Sequence, residues 1–208
     1  SAAGFISVMR RSGVKIMRNI VRWVAVLLGI CCLCLGSMGF CEETNLLINA
    51  SFEKNITDKV GKQQPANWKI NTGSALGIVE VITDPAKTHS GSQCLLFAPN
   101  DPGKQDAHIY QIISVSSNGK YIFKIWARGK AGDRIKLLAY QYATDNMQFL
   151  DSIGSGYMRV SDKWKEFTWE YTPSPKAKIG KVGCAIAVLD GPVYFDDAFF
   201  GVRTEESN

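Results

Sequence analysis

Glu53 closes the segment Asn45-Leu46-Leu47-Ile48-Asn49-Ala50-Ser51-Phe52-Glu53, and Asp196 and Asp197 lie within Val193-Tyr194-Phe195-Asp196-Asp197-Ala198-Phe199-Phe200. Carboxylates carry either glycoside-cleaving acid/base chemistry or hard-cation binding. Both segments alternate apolar with polar residues, as half-buried strands do. If the two strands pair, Glu53 and Asp197 meet, and two carboxylates held close repel unless a proton or a hard cation lies between them. A Ca²⁺ clamp joining the two ends of the domain is the expectation. Catalysis needs two carboxylates at matched separation in a cleft. No such pair stands out once Glu53 and Asp197 are assigned to metal, and Asp196 and Asp197 read as scaffold. His89 precedes Ser90-Gly91 and reads as a hydrogen-bonded turn histidine, and His108 as an exposed residue just before a strand. Neither lies near a nucleophile motif, so a Ser-His-Asp hydrolase is poorly supported.

The elements that would position these residues are short apolar runs separated by turn signals. Strands are expected at 46–52, 77–83, 93–98, 109–115, 121–128, 134–142, 163–172, 182–189 and 193–201. Asp84-Pro85, His89-Ser90-Gly91, Asn118-Gly119 and Asp190-Gly191-Pro192 punctuate them. Eight or nine strands in about 160 residues indicate an all-β, two-sheet antiparallel β-sandwich or jelly roll. In Tyr121–Arg128, one face carries Tyr121, Phe123, Ile125 and Ala127 and reads as core, and the other carries Lys124, Trp126 and Arg128. In Lys163–Thr172, Phe167, Trp169 and Tyr171 share a face.

The 208-residue chain has room for one such domain and an appendage. Residues 17–39 have a basic start, an apolar run from Val24 to Leu35 and a small-residue end, the pattern of a secretory signal peptide. Residues 1–16 read as an upstream, tag-like extension, 45–202 as the β-sandwich and 203–208 as a polar tail. The apolar run is too short to span a bilayer comfortably, so secretion, or a periplasmic or cell-surface location, is expected, with no stable membrane span after cleavage. All five charged residues before position 40 are basic, so the 19 acidic residues of the rest are balanced by the remaining basic ones. No electrostatic footprint for nucleic acid remains. Cys94 and Cys184 can form a disulfide or stand as two buried thiols.

The order of motifs adds a further reading. Asn-Leu-Leu-Ile-Asn-Ala-Ser-Phe-Glu (45–53) is followed by Ala66-Asn67-Trp68, Thr88-His89-Ser90-Gly91-Ser92-Gln93-Cys94-Leu95 and Tyr110-Gln111. Then come Gly119-Lys120-Tyr121-Ile122-Phe123 with Trp126-Ala127-Arg128, Trp164-Lys165-Glu166-Phe167 and Val193-Tyr194-Phe195-Asp196-Asp197. Over about 45–202 this series resembles the carbohydrate-binding modules of the galactose-binding-domain-like jelly-roll superfamily, the group that binds xylan and β-glucan. The resemblance implies a structural Ca²⁺ remote from the ligand, with Glu53 and Asp197 as its acids and carbonyls near Ser51, Thr88 and Gln93 completing the site. It also implies a sugar lying across one concave sheet on aromatic rings. The strands expected to line that sheet hold Tyr110, Tyr140 and Tyr142, with Gln141, Gln148 and Asp145 as polar partners. Trp68 falls in a loop, and Trp126 and Trp164 fall on the other sheet.

The expected function is therefore a secreted, non-catalytic module that binds a polysaccharide or oligosaccharide. The alternative is a cell-surface or periplasmic structural domain on the same scaffold, with a protein partner and no sugar.

Overall fold

Period-two alternation of apolar side chains shapes most of this molecule. The computed structural model describes residues 44–70, 77–102, 107–142, 148–175 and 180–203, all within one compact unit, Glu43–Asn208. The expected leader, extension and polar tail beyond Arg203 lie outside the described residues, as does Asp145. Among the described residues no helix is long and apolar enough to cross a membrane.

The strands are β1 (Asn55–Thr57), β2 (Gln63–Pro65), β3 (Lys69–Ile70), β4 (Gly77–Ile82), β5 (Cys94–Pro99), β6 (Ala107–Val115) and β7 (Tyr121–Gly129). They continue with β8 (Arg134–Tyr142), β9 (Phe149–Gly154), β10 (Met158–Arg159), β11 (Lys165–Tyr171), β12 (Gly180–Val188) and β13 (Val193–Val202). Six of them form a first sheet in the order β10-β8-β12-β6-β3, with β9 also pairing β8. Five form a second sheet in the order β11-β7-β13-β5-β4, and β1-β2 is a separate ribbon. Every pairing is antiparallel. The expected two-sheet antiparallel sandwich is what the chain forms.

The core lies between the sheets. The second sheet contributes Leu95, Phe97, Phe123, Ile125, Phe195 and Phe200, and the first contributes Ile109, Ile135, Leu137, Ile186 and Val188, all fully buried. Burying each such side chain favours folding by roughly 1.5–3 kcal/mol. Trp68 and Phe52 close one end of this core, their ring centroids 5.1 Å apart.

Two expectations need correction, and one open alternative is resolved for Cys94. Residues 47–51 run through bends and a turn rather than a strand, because Asn49 (φ 53°) and Phe52 (φ 57°) adopt left-handed backbone that no regular strand accommodates. The segment still meets the last strand: Leu46 N donates to Phe200 O (2.7 Å) and Ala198 N to Ala50 O (2.9 Å). Of the two alternatives for the cysteines, Cys94 takes the buried free thiol, and burial first of all pushes it up to about 12. His108 is half-buried inside β6, not exposed before a strand.

Candidate functional site

The open face of the first sheet is built by register. Partners on adjacent strands share a face, so Tyr110 on β6, Ala185 on β12 and Leu138 on β8 form one row. His108, Ala187 and Lys136 form the next. Leu138, Ala185 and Ala187 are buried on this outer side as a small apolar floor, with Tyr110 and Tyr140 packed against it. Small side chains along β12 let the floor recede, and the tyrosines of β6 and β8 rise on either side. The result is a cleft of about 260 Å³ lined by His108, Tyr110, Tyr140 and Tyr142.

Polar tips define its rim. The Tyr140 hydroxyl lies 3.0 Å from His108 Nδ1, with the rings edge-on at 5.8 Å and 67°. Tyr142 meets Phe149 of β9 edge-on, centroids 6.1 Å apart. Burial, with the Tyr110 phenol second, pushes the Tyr142 phenol above its usual value, so it remains a neutral donor at physiological pH. A pyranose offers a patch of C–H bonds to an aromatic face and hydroxyls to polar rims, and this cleft supplies both kinds of surface.

The structure brings Tyr110, Tyr140 and Tyr142 together, while Gln148 is exposed on the residue preceding β9. It removes Gln141 from the set. Gln141 lies between Tyr140 and Tyr142 in a regular strand and therefore faces inward, fully buried. Its Oε1 accepts from the Tyr171 hydroxyl (3.0 Å) and from Ser174 N (2.6 Å), and its Nε2 donates to Asp151 Oδ1. One lining group, His108, and one neighbour of the rim, Phe149, were not expected from the sequence. His108 precedes Tyr110 by two residues, so placing the strand start at 107 would have put it on the tyrosine face. Phe149 stands in β9, whose Phe-Leu-Asp-Ser-Ile-Gly carries no alternation to reveal a strand.

The acidic residues gather around the turn 89–93, away from this cleft's lining. Ser92 N and Gln93 N donate to Glu53 Oε1 (2.8 and 2.9 Å), and Ser92 Oγ donates to Oε2 (2.5 Å). Burial pushes the Glu53 carboxyl up, but these hydrogen bonds outweigh it and hold the group below its ordinary value. Ser90 Oγ donates to Asp197 Oδ1 (2.9 Å), and His89 Nδ1 lies 2.7 Å from Asp197 Oδ2. The His89 ring stacks on Trp126 at 3.9 Å, with Trp164 edge-on. Asp196 is fully buried and accepts from the His89 and Ser90 amides. Burial above all, with Asp197 adding, raises it to about 6.

Hard carboxylate oxygens suit Ca²⁺, which takes six to eight oxygen ligands. Here each carboxylate is satisfied by protein donors, and among the described residues no three His, Cys, Asp or Glu side chains gather as a ligand set. A cation held by Glu53 and Asp197 would therefore need backbone carbonyls as well. Glu53 and Asp197 hold one turn from two sides.

A two-sheet sandwich with an aromatic cleft on one open face defines a β-sandwich binding module. The model of the carbohydrate binding domain family CBM_4_9 matches residues 44–184, and the chain belongs to that family. No curated protein matches the chain in sequence. Among solved structures, the chain is similar to the enzymatically active domain of tailspike protein 4 of bacteriophage CBA120 (16% identity, TM-score 0.56). The match covers 76% of this chain and 21% of that one. The chain thus spans about a fifth of that protein. It is also similar to the CBM22-1 xylan-binding domain of Xyn10C from Paenibacillus barcinonensis (14% identity, TM-score 0.55; 79% and 97% covered). A third likeness is to TmCBM61 in complex with beta-1,4-galactotriose (17% identity, TM-score 0.51; 77% and 99% covered). At these identities the structures establish the fold alone.

Proposed function

We propose that this chain is a secreted, non-catalytic carbohydrate-binding module that holds a polysaccharide or oligosaccharide across the open face of its first sheet. The observation that carries the reading is the cleft of His108, Tyr110, Tyr140 and Tyr142 over a floor of Leu138, Ala185 and Ala187. Family membership and the names of two structural neighbours, one a xylan-binding domain and one bound to galactotriose, support it. The signal-like residues 17–39 support secretion. The acids nearest each other serve the 89–93 turn rather than the cleft, which supports a binding rather than a catalytic role.

Affinity electrophoresis through gels containing xylan, β-glucan or β-1,4-galactan tests the reading. The wild type is retarded by at least one glycan, and Tyr140→Ala weakens that retention by about tenfold or more, the size of a central aromatic anchor. A wild type that no glycan retards would overturn it. Release of reducing sugar from the retained glycan would overturn the non-catalytic part alone.

A structural Ca²⁺ at the Glu53–Asp197 end belongs to the same proposal, supported by two carboxylates converging on one turn. In binding, it would displace the hydroxyl and imidazole that those acids now accept. The melting midpoint is expected to fall in EDTA and return with Ca²⁺, and Asp197→Ala should abolish that response. Coincident melts with and without EDTA would show that hydrogen bonds alone hold the turn.

The second reading, an interaction domain with a cell-surface protein partner, draws on one observation. Phe149, Ile153 and Tyr157, on and just after the edge strand β9, leave 56%, 37% and 49% of their surface exposed. Edge strands with exposed apolar side chains are where other chains dock.

A further inference from the structure

Among the described residues, two lysines bring positive charge to the cleft face. In the register of the first sheet, Lys69 of β3 pairs with Tyr110, and Lys136 of β8 lies in the same row as His108. Three strand spacings separate the Lys69 and Lys136 strands, about 14 Å across the sheet, so the two ammoniums flank the tyrosines from opposite sides. Neither has a carboxylate partner among the described residues. Among the described residues, two acids of neighbouring segments are taken up elsewhere. Asp151 faces Gln141, and Asp190 takes both Nε and Nη2 of Arg134 (2.8 and 2.6 Å). Glu80, Glu166 and Glu170 lie, by register with Leu96, Trp126 and Ile122, on the outer face of the second sheet.

Lys136 is set in place rather than loose. It is half-buried, its Nζ lies 5.5 Å from the Tyr157 ring centroid, and a Cβ on Gly154 would stand 2.6 Å from its Cε. An ammonium held over a ring has already given up part of its rotamer freedom and water. It then loses less on meeting an anion than a free surface lysine does.

We infer that the cleft selects an anionic glycan, one bearing carboxylates as uronic acids do or sulfate esters, over a neutral one. The inference rests on the glycan-binding reading of the same cleft and adds the class of sugar. The tyrosines pack on the ring carbons of either kind of chain. Lys69 and Lys136 add attraction only where the chain carries a negative group on each flank, since a lysine ammonium acts as a compact point charge with three donors. Attraction between partly exposed charges is modest and screened by salt, so the preference belongs to low ionic strength.

The full chain is tested by affinity electrophoresis against four polymers at 20 mM and 500 mM NaCl: polygalacturonate for carboxylates, carrageenan for sulfate esters, and xylan and β-1,4-galactan as neutral chains. Roughly tenfold tighter binding to one or both anionic polymers is expected at low salt, most of it lost at high salt. Which anionic arm responds identifies carboxylate or sulfate. Lys69→Gln with Lys136→Gln should erase the preference while leaving any neutral binding and the melting midpoint unchanged, and Lys136→Arg should keep it. Equal or tighter binding to the neutral polymers at 20 mM NaCl would overturn the inference and leave the cleft's sugar-binding role standing. So would an anionic preference that survives the double lysine variant. A Tyr140→Ala variant that keeps full anionic binding would place that binding outside the cleft and overturn both readings.

Discussion

Gln141 is buried and commits its side-chain oxygen and nitrogen to three partners, none of which lines the cleft. Replacing it with leucine removes three hydrogen bonds, to the Tyr171 hydroxyl, the Ser174 amide and Asp151, each worth about 0.5–1.5 kcal/mol. Gln141→Leu is therefore expected to lower unfolding free energy by roughly 2–4 kcal/mol in denaturant titrations. Under native conditions it should keep glycan retention near that of the wild type. Tyr140→Ala, on the open face, should do the reverse. Asp190 gives the residue scale a second test. The Arg134 guanidinium hydrogen-bonded to it, more than any other influence, depresses its carboxyl below the ordinary value. A depressed carboxyl contributes stability that is present above the unfolded-state value and lost as pH falls through the folded one. Asp190→Asn should thus flatten the loss of stability below about pH 4. Glu53, also depressed, retains part of that slope. An unchanged acid limb would show that the Arg134 contact contributes no pH-dependent stability.

At the scale of elements, the 89–93 turn shows how backbone geometry and a carboxylate select each other. Gly91 has φ +59°, and a Cβ placed there would stand 2.3 Å from Glu53 Oε1. Gly91→Ala must both strain the backbone and push the carboxylate off the Ser92 and Gln93 amides. A destabilisation of about 2–3 kcal/mol is expected from thermal or chemical melts. A loss no larger than a few tenths would mean that the turn shifts freely. The sequence announced the eight strands β4–β8 and β11–β13 because each has a core face that repeats every second residue. It was silent on β1, β2, β3 and β10, two or three residues long, because no period is measurable over that length. The stretch 46–52 misled in the opposite direction. Leu47 and Phe52 do reach the core, but they reach it through turns at Asn49 and Phe52, so alternation there reflects packing of a bent chain. The cleft was legible where spacing fixes a face: Tyr140 and Tyr142 are two apart and must share one. The same rule excludes Gln141, since a shift of one residue turns a strand side chain to the other side. The flanking lysines were not legible, because Lys69 lies on a two-residue strand and only the register shows which face it shares.

At the scale of the whole molecule, residues 45–50 tie together parts of the sandwich that sequence order keeps apart. On the second sheet, Asn45 Nδ2 donates to Ala198 O (2.9 Å), and Phe200 N donates to Asn45 Oδ1 (3.0 Å). On the first sheet, the buried Gln111 amide donates to Ile48 O (2.6 Å) and accepts from Ile48 N (3.0 Å). One short strap therefore spans both layers at the end of the core that Phe52 and Trp68 close. Its stability is shared between two anchors on opposite sheets, Asn45 and Ile48, joined through Leu46 and Leu47. Asn45→Ala and Gln111→Leu are each expected to cost about 1–2 kcal/mol by loss of these bonds. If the strap docks and leaves as a unit, the first substitution already releases much of what the second would remove. The double variant should then fall short of the sum of the singles by roughly 0.5–1 kcal/mol in a double-mutant cycle. Hydrogen exchange at the Phe200 amide should quicken in Gln111→Leu, although that side chain lies on the opposite sheet. Strict additivity, with Phe200 exchange unchanged in Gln111→Leu, would mean that the two sheets hold the strap independently and that closing the core needs neither anchor to sense the other.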